Sequence, residues 1–207
     1  MVLRVARAGD NLSAVLKPVI EMARRGAALA PNSSFAHEQL ARVLDAALQR
    51  AEAKQEFTVA LGLNPANLDA RAAFAQTLAL EGDWTAGAGE AAAAIKAVPA
   101  PPPWYYATPM LDAYRQGKYG EAIEAAVIYA AASGEMPVAL AVAAAGEAKR
   151  QDIIDRYLTP LLSNALFRNA GILPRLGLRI TDPALLHHIG EGLILAGVPQ
   201  GALTQAF

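Results

Sequence analysis

The sequence predicts an all-α protein built from stacked antiparallel helix pairs, and three observations carry this prediction. Hydrophobic residues make up 54% of the 207 positions while aromatics make up only 6%, and alanine, the strongest helix former, leads the apolar set. Pro31, Pro65 and Pro99 recur at a fixed interval of 34 residues, and a period of that size marks repeated supersecondary units. Between the prolines, residue types agree from one interval to the next. The length suits one medium domain or one repeat array and is enough to bury a core.

At the N-terminus, "NLSAVLKPVIEMARRGAALAP" reads as the second helix of a pair. Gly9 stands farther from Pro31 than Gly82 does from Pro99. Either the first turn is altered or the chain starts inside a longer array. In the unit from Ser34, Leu40, Ala41 and Leu44 share one face of a first helix, and Ala53, Phe57 and Ala60 share one face of a second. The unit from Leu68 repeats this with Phe74, Ala75 and Leu78, then Gly87, Ala91 and Ala94. Gly82 and Trp84 mark the turn between its helices. Gly117 and Tyr119 mark the same turn one unit on, with Ala122 and Ala126 continuing the second helix. The spacing there is one residue longer, a slip placed at Pro101-Pro102-Pro103.

Small residues at Ala53, Ala60, Ala94 and Ala122 let helices approach closely, and Leu40, Phe57 and Phe74 fill the space between pairs. One pair cannot bury its apolar face alone, so pairs stack. Asn67 and Asp83 are predicted N-caps, and Pro65 and Pro99 stop one helix before the next. The Gly87-Ala88-Gly89 segment follows a helix and lacks a Gly-Lys-Ser/Thr sequel, so it is read as a close helix approach and not as a phosphate loop.

This pattern resembles the tetratricopeptide repeat (TPR) family over residues 34 to 132. The resemblance implies a right-handed TPR-like solenoid of four to five antiparallel helix pairs. The family's Trp near the start of the first helix is missing; His37, Arg71 and Tyr106 stand there. A fourth unit is predicted at residues 137 to 165, with a turn at Arg150-Gln151 and Pro160 inside its second helix. The break at Ser133-Gly134-Glu135-Met136-Pro137 divides a long apolar stretch into two helices, too short individually to span a membrane. Residues 1 to 165 are thus assigned to the array and 166 to 207 to C-terminal capping helices of the same domain. In that tail Asp182 is a predicted N-cap, Pro183 opens the helix, and Gly197 with Pro199 ends it. Glu191-Gly192-Leu193 and Ala196-Gly197 also resemble a segment closing the helical-repeat regions of bacterial nucleotide-cyclase and winged-helix regulators. That resemblance implies a regulatory or sensory module of a larger signalling protein.

The chain carries 18 basic and 19 acidic side chains, a net charge of −1, without the basic excess of a nucleic-acid binder. Arg24-Arg25 and Lys149-Arg150 read as solvated pairs. No cysteine is present, which excludes disulfides, thiolate metal sites and cysteine nucleophiles. No signal peptide is read, since Arg4 and Arg7 interrupt the first apolar stretch. The expected location is cytoplasmic, with the periplasm left open for a chain belonging to a larger membrane-tethered protein. His187 and His188 are adjacent, which suits one exposed and one half-buried side chain better than a metal site. Glu121 with Glu124, and Asp152 with Asp155, read as solvated faces. No catalytic motif is found, and neither an enzymatic activity nor a cofactor is expected.

The remaining reading is a scaffold that binds a protein or peptide partner. In TPR folds the first helices of successive pairs line a concave groove. Carried over position by position, the resemblance puts Phe35, Glu38, Arg42 and Asp45 on that face, then Asp69, Gln76 and Leu80, then Trp104, Leu111, Tyr114 and Arg115. The Lys/Asn cluster with which some TPR grooves grip a terminal carboxylate is not matched. Trp104, Tyr105, Tyr106 and Tyr114 form the densest aromatic cluster, suited equally to an inter-repeat core or a binding anchor. Partner identity stays open, and so does homo-oligomerisation.

Overall fold

A computed structural model describes residues 2–131 and 134–207, with side chains from Val15 onward. Among the described residues the chain is helical, with no strand. It divides into two compact units, Met1–Pro101 and Pro102–Phe207.

The first unit opens with α1 (Val2–Leu29), a single helix that runs through Gly9 and carries Pro18 inside it. The altered turn considered from the sequence is therefore absent; the backbone there continues as helix. Ile20 and Ala27 are buried where α1 meets α2 (Ser34–Ala46). Val15, Val19, Met22 and Leu29 stay exposed on another side of α1. Two antiparallel pairs follow: α2 with α3 (Arg50–Leu63), and α4 (Leu68–Leu80) with α5 (Trp84–Lys96). Ala53, Phe57, Ala60 and Ala94 are buried at the seams where close packing was expected. The Phe57 ring lies 5.7 Å from that of Phe74. Gly87 is a required approach: a Cβ there would lie 2.7 Å from the Ala75 carbonyl oxygen. Gly89 faces open space and plays no such part.

The second unit begins with a 3₁₀ turn (Pro103–Tyr106) leading into α6 (Ala107–Arg115), which pairs with α7 (Tyr119–Ala130). Next come α8 (Glu135–Ala148) and α9 (Gln151–Ser163), with Pro160 inside α9 as predicted. The Ser133 part of the predicted break lies outside the described residues. α8 begins at Glu135, ahead of Pro137, since a proline in the first turn forfeits no helical hydrogen bond. Then follow α10 (Ala165–Ala170), α11 (Ile172–Leu176), α12 (Pro183–Leu195) and α13 (Gln200–Thr204). α12 packs on α8, while α13 packs on α10 and α11. The tail thus belongs to the same compact unit as α6 to α9.

Each first helix ends in the same turn. Leu48, Gly82, Gly117 and Lys149 all have φ between 54° and 95°. In each, the next residue's N–H reaches back: Gln49 to Leu44, Asp83 to Leu78, Lys118 to Ala113, and Arg150 to Ala145 carbonyl oxygens, at 2.9–3.0 Å. Lys149 occupies the place where the sequence lacked its glycine. Left-handed backbone costs a non-glycine residue about 1–2 kcal/mol. Lys149 is exposed, and its replacement should touch little else. Lys149→Gly is expected to raise unfolding stability by about 1 kcal/mol after the extra unfolded-state entropy of glycine is subtracted. Urea denaturation checks this, and a lowered midpoint at unchanged slope would contradict it.

Candidate functional site

Aligning the first helices on their left-handed turn residue puts four faces in register. The residues six and three places before that turn are Arg42 and Asp45 in α2, and Gln76 and Ala79 in α4. They are Leu111 and Tyr114 in α6, and Ala143 and Gly146 in α8. Phe35, Asp69, Trp104 and Met136 stand thirteen places before it.

In the first unit this face is partly committed to internal bonding. Asn67 caps α4 by accepting from the Ala70 N–H at 3.0 Å. Its amide also donates to Ser34 Oγ at 2.9 Å and to Glu38 Oε2 at 3.0 Å. Ser34 in turn donates to the Ala60 carbonyl at 2.8 Å. Arg42 Nε donates to Glu38 Oε1 at 2.7 Å, and its Nη2 to the Asp69 carbonyl at 3.3 Å. This chain of bonds ties α2, α3 and α4 together. Glu38 is buried within it and offers no docking surface, a correction to the sequence reading. Asp45 is buried too: Thr77 Oγ1 donates to it at 3.1 Å, and Arg50 Nε stands 3.6 Å away. A buried charge requires such pairing. Leu80 is likewise buried. Phe35 is 66% exposed, Asp69 is exposed, and Arg42 and Gln76 are half-buried.

Two polar clasps fill the positions where the expected tryptophan is missing. His37 Nδ1 lies 2.6 Å from Glu56 Oε2, and its Nε2 lies 3.0 Å from the Pro31 carbonyl. Arg71 repeats both contacts 34 residues later, with Glu90 Oε2 at 3.0 Å and the Pro65 carbonyl at 3.2 Å. The matched offset of His37 with Arg71 and of Glu56 with Glu90 was visible in the sequence, but pairing was not inferred from it. A shallow cleft beside the second clasp is lined by Pro65, Ala66, Leu68, Arg71, Ala93 and Ala97.

The second unit treats the same face differently. Leu111 and Tyr114 are fully buried, so neither can touch a partner in this conformation. Tyr114 Oη donates to the His188 carbonyl at 3.0 Å, and its ring stands 4.8 Å from the His188 ring. Tyr119 Oη shares a 2.9 Å hydrogen bond with His188 Nε2, and Glu147 Oε1 lies 3.7 Å from that nitrogen. Burial is the largest of the effects that push the Tyr114 hydroxyl pKa up, and the phenol stays neutral. Trp104 lies in the 3₁₀ turn, half-buried, with its ring edge-on to that of buried Tyr105 at 4.7 Å. Arg115 is exposed and donates to Asp112 at 2.7 Å. His187 is exposed and His188 half-buried, the division expected for adjacent histidines.

Glu121, Glu124, Asp152 and Asp155 are exposed. Among the described residues no three metal-ligating side chains gather, and no helix is long and apolar enough to cross a membrane. No family model matches the chain, and no curated protein matches it.

The His37 clasp has a pH signature. Both partners of its ring are acceptors, so both nitrogens must donate, and that requires the imidazolium. The Glu56 hydrogen bond, foremost, raises the His37 pKa above its ordinary value of 6.5. A raised folded-state pKa means stability that is complete below the unfolded value and lost as pH rises through the folded one. Between about pH 6 and about pH 8.5, wild type should lose more stability than His37→Gln, measured by denaturant midpoints. Equal losses in the two proteins would contradict the assignment.

Proposed function

We propose that the chain is a non-catalytic scaffold of TPR-like helix pairs that binds a protein or peptide segment on the face of its first helices. In the first unit that face is the α2/α4 ridge. The observation that carries the reading is Phe35: a large aromatic side chain left 66% exposed, one turn of α2 from the Arg42–Asp69 contact. Asp69 is its equivalent in the next pair, 34 residues on, and Gln76 is the equivalent of Arg42. An aromatic anchor beside charged and amide groups is the composition of an interface hot spot. The 34-residue recurrence of N-cap (Ser33, Asn67), clasp (His37, Arg71) and turn (Leu48, Gly82) supports the TPR-like assignment.

The resemblance of the Glu191-Gly192-Leu193 and Ala196-Gly197 segment to bacterial regulators gains no separate support, because packing and capping account for its residues. Gly192 and Ala196 meet α8, and Gly197 adopts φ 90° at the end of α12.

Selection of peptides from a displayed random library on the full chain supplies a probe ligand. Phe35→Ala is expected to weaken the selected peptide about tenfold or more, since hot-spot truncations commonly exceed 1.4 kcal/mol. The melting temperature should stay close to wild type because Phe35 fills no core. Unchanged affinity in both Phe35→Ala and the Phe35→Ala/Gln76→Ala double variant would place binding elsewhere.

A further inference from the structure

In the second unit, the face equivalent to the α2/α4 ridge already holds a helix. Ala143, Gly146 and Glu147 of α8 stand six, three and two places before Lys149, and Tyr114 of α6 stands three before Gly117. These are the positions where the first helices present their common face. All four meet α12. A Cβ placed on Gly192 would lie 2.6 Å from the Ala143 carbonyl oxygen and 2.6 Å from Tyr114 Oη. A Cβ placed on Gly146 would collide with the Gly192 carbonyl and lie 2.7 Å from the Ala196 nitrogen. Glu147 and Tyr114 meet His188, one turn earlier on α12. The backbones of α8 and α12 therefore cross at a distance only glycine permits.

We infer that the α6/α8 face is a helix-accepting groove and that α12 is its intramolecular ligand, so that a partner helix with small residues four apart enters by displacing α12. The ligand class follows from what is seated there. Gly192 and Ala196 supply small residues at i and i+4, and Leu185, Leu186, Ile189 and Leu193 supply the buried apolar side. This is recognition of an amphipathic helix by a groove. The polar attachment is slight for so close a crossing: one Tyr–carbonyl bond, one Tyr–His bond and the Glu147–His188 approach. The outward side of α12 leaves Ile194 and Leu195 exposed, so the helix is not enclosed. The groove is closed while α12 occupies it, and a competitor must bind better than a tethered helix. This inference does not rest on the Phe35 site, which lies in the other unit and is read by a different ligand.

Two measurements test it on the full chain. In native-state hydrogen exchange of wild type, α12 amides should exchange at least about tenfold faster than α8 amides, because a displaceable element opens below the global unfolding free energy. Equal protection of α8 and α12 would make α12 an ordinary core helix and overturn the proposal. A fluorescent peptide of residues 183–196 is then titrated against wild type and against Gly192→Leu, whose side chain drives the tethered α12 from the groove. The peptide should bind the variant at least about tenfold tighter than wild type, since the competing intramolecular ligand is gone. Should Gly192→Leu fail to fold, the Tyr114→Phe/Tyr119→Phe variant serves in its place, removing both hydroxyl bonds to His188 with little change of volume. Absence of binding to a folded variant overturns the groove, and cooperative unfolding of both variants overturns the displaceable α12.

Discussion

The fold depends on one backbone constraint: the left-handed residue that ends each first helix. At Leu48, Gly82, Gly117 and Lys149 a positive φ turns the chain back, and the following N–H closes on a carbonyl five residues earlier. That closure fixes where the second helix starts. It thereby fixes which residues of the first helix meet the second and which are left on the opposite face. Two of the four positions adopt the conformation without glycine, so the geometry is imposed by the packing of the pair more than by local preference. Once the register is set, small residues such as Ala53, Ala60, Gly87 and Ala94 fall at the seams, where all four are buried.

The face left over is used in two ways. In the first unit, side chains of that face bond to one another and to the N-cap of the following helix. Asn67 is the hub: cap of α4, donor to Ser34 on α2, and donor to Glu38. The carboxylates of Glu38 and Asp45 are buried with partners, so they hold pairs together and are not displayed. In the second unit the corresponding residues are apolar or small, Leu111, Ala143 and Gly146, and a helix lies against them. The same register thus carries polar stapling in one unit and helix docking in the other.

Much of this was legible in the sequence. Helical content, the pair boundaries, the caps at Asn67, Asp83 and Asp182, and the buried seam residues follow from proline spacing, cap chemistry and the pattern of small and large apolar residues. Leu111 and Tyr114 were placed on the first-helix face, and they do lie on it by register. Their burial was not legible, because it depends on a tail helix about 70 residues away in sequence meeting that face, and periodicity says nothing of such non-local contacts. The Tyr114–His188 bond is of this kind. Glu38 was misread because a charged side chain on a helix face is normally solvated; here Arg42 and Asn67 supply the bonds that make its burial affordable. The turn at Lys149 was hidden because the residue type gives no sign of positive φ.

The central claim is that α12 lies across the first-helix face of α6 and α8, with glycine backbones in contact. Nuclear Overhauser spectroscopy on the isotopically labelled chain tests it most directly. Cross-peaks are predicted between the Gly146 Hα protons and the Ala196 methyl, and between the Gly192 Hα protons and both the Ala143 methyl and the Tyr114 ring, since magnetisation transfers only over about 5 Å or less, the scale of side-chain contact. A spectrum in which α12 is helical yet shows no cross-peak to α6 or α8 would contradict the account.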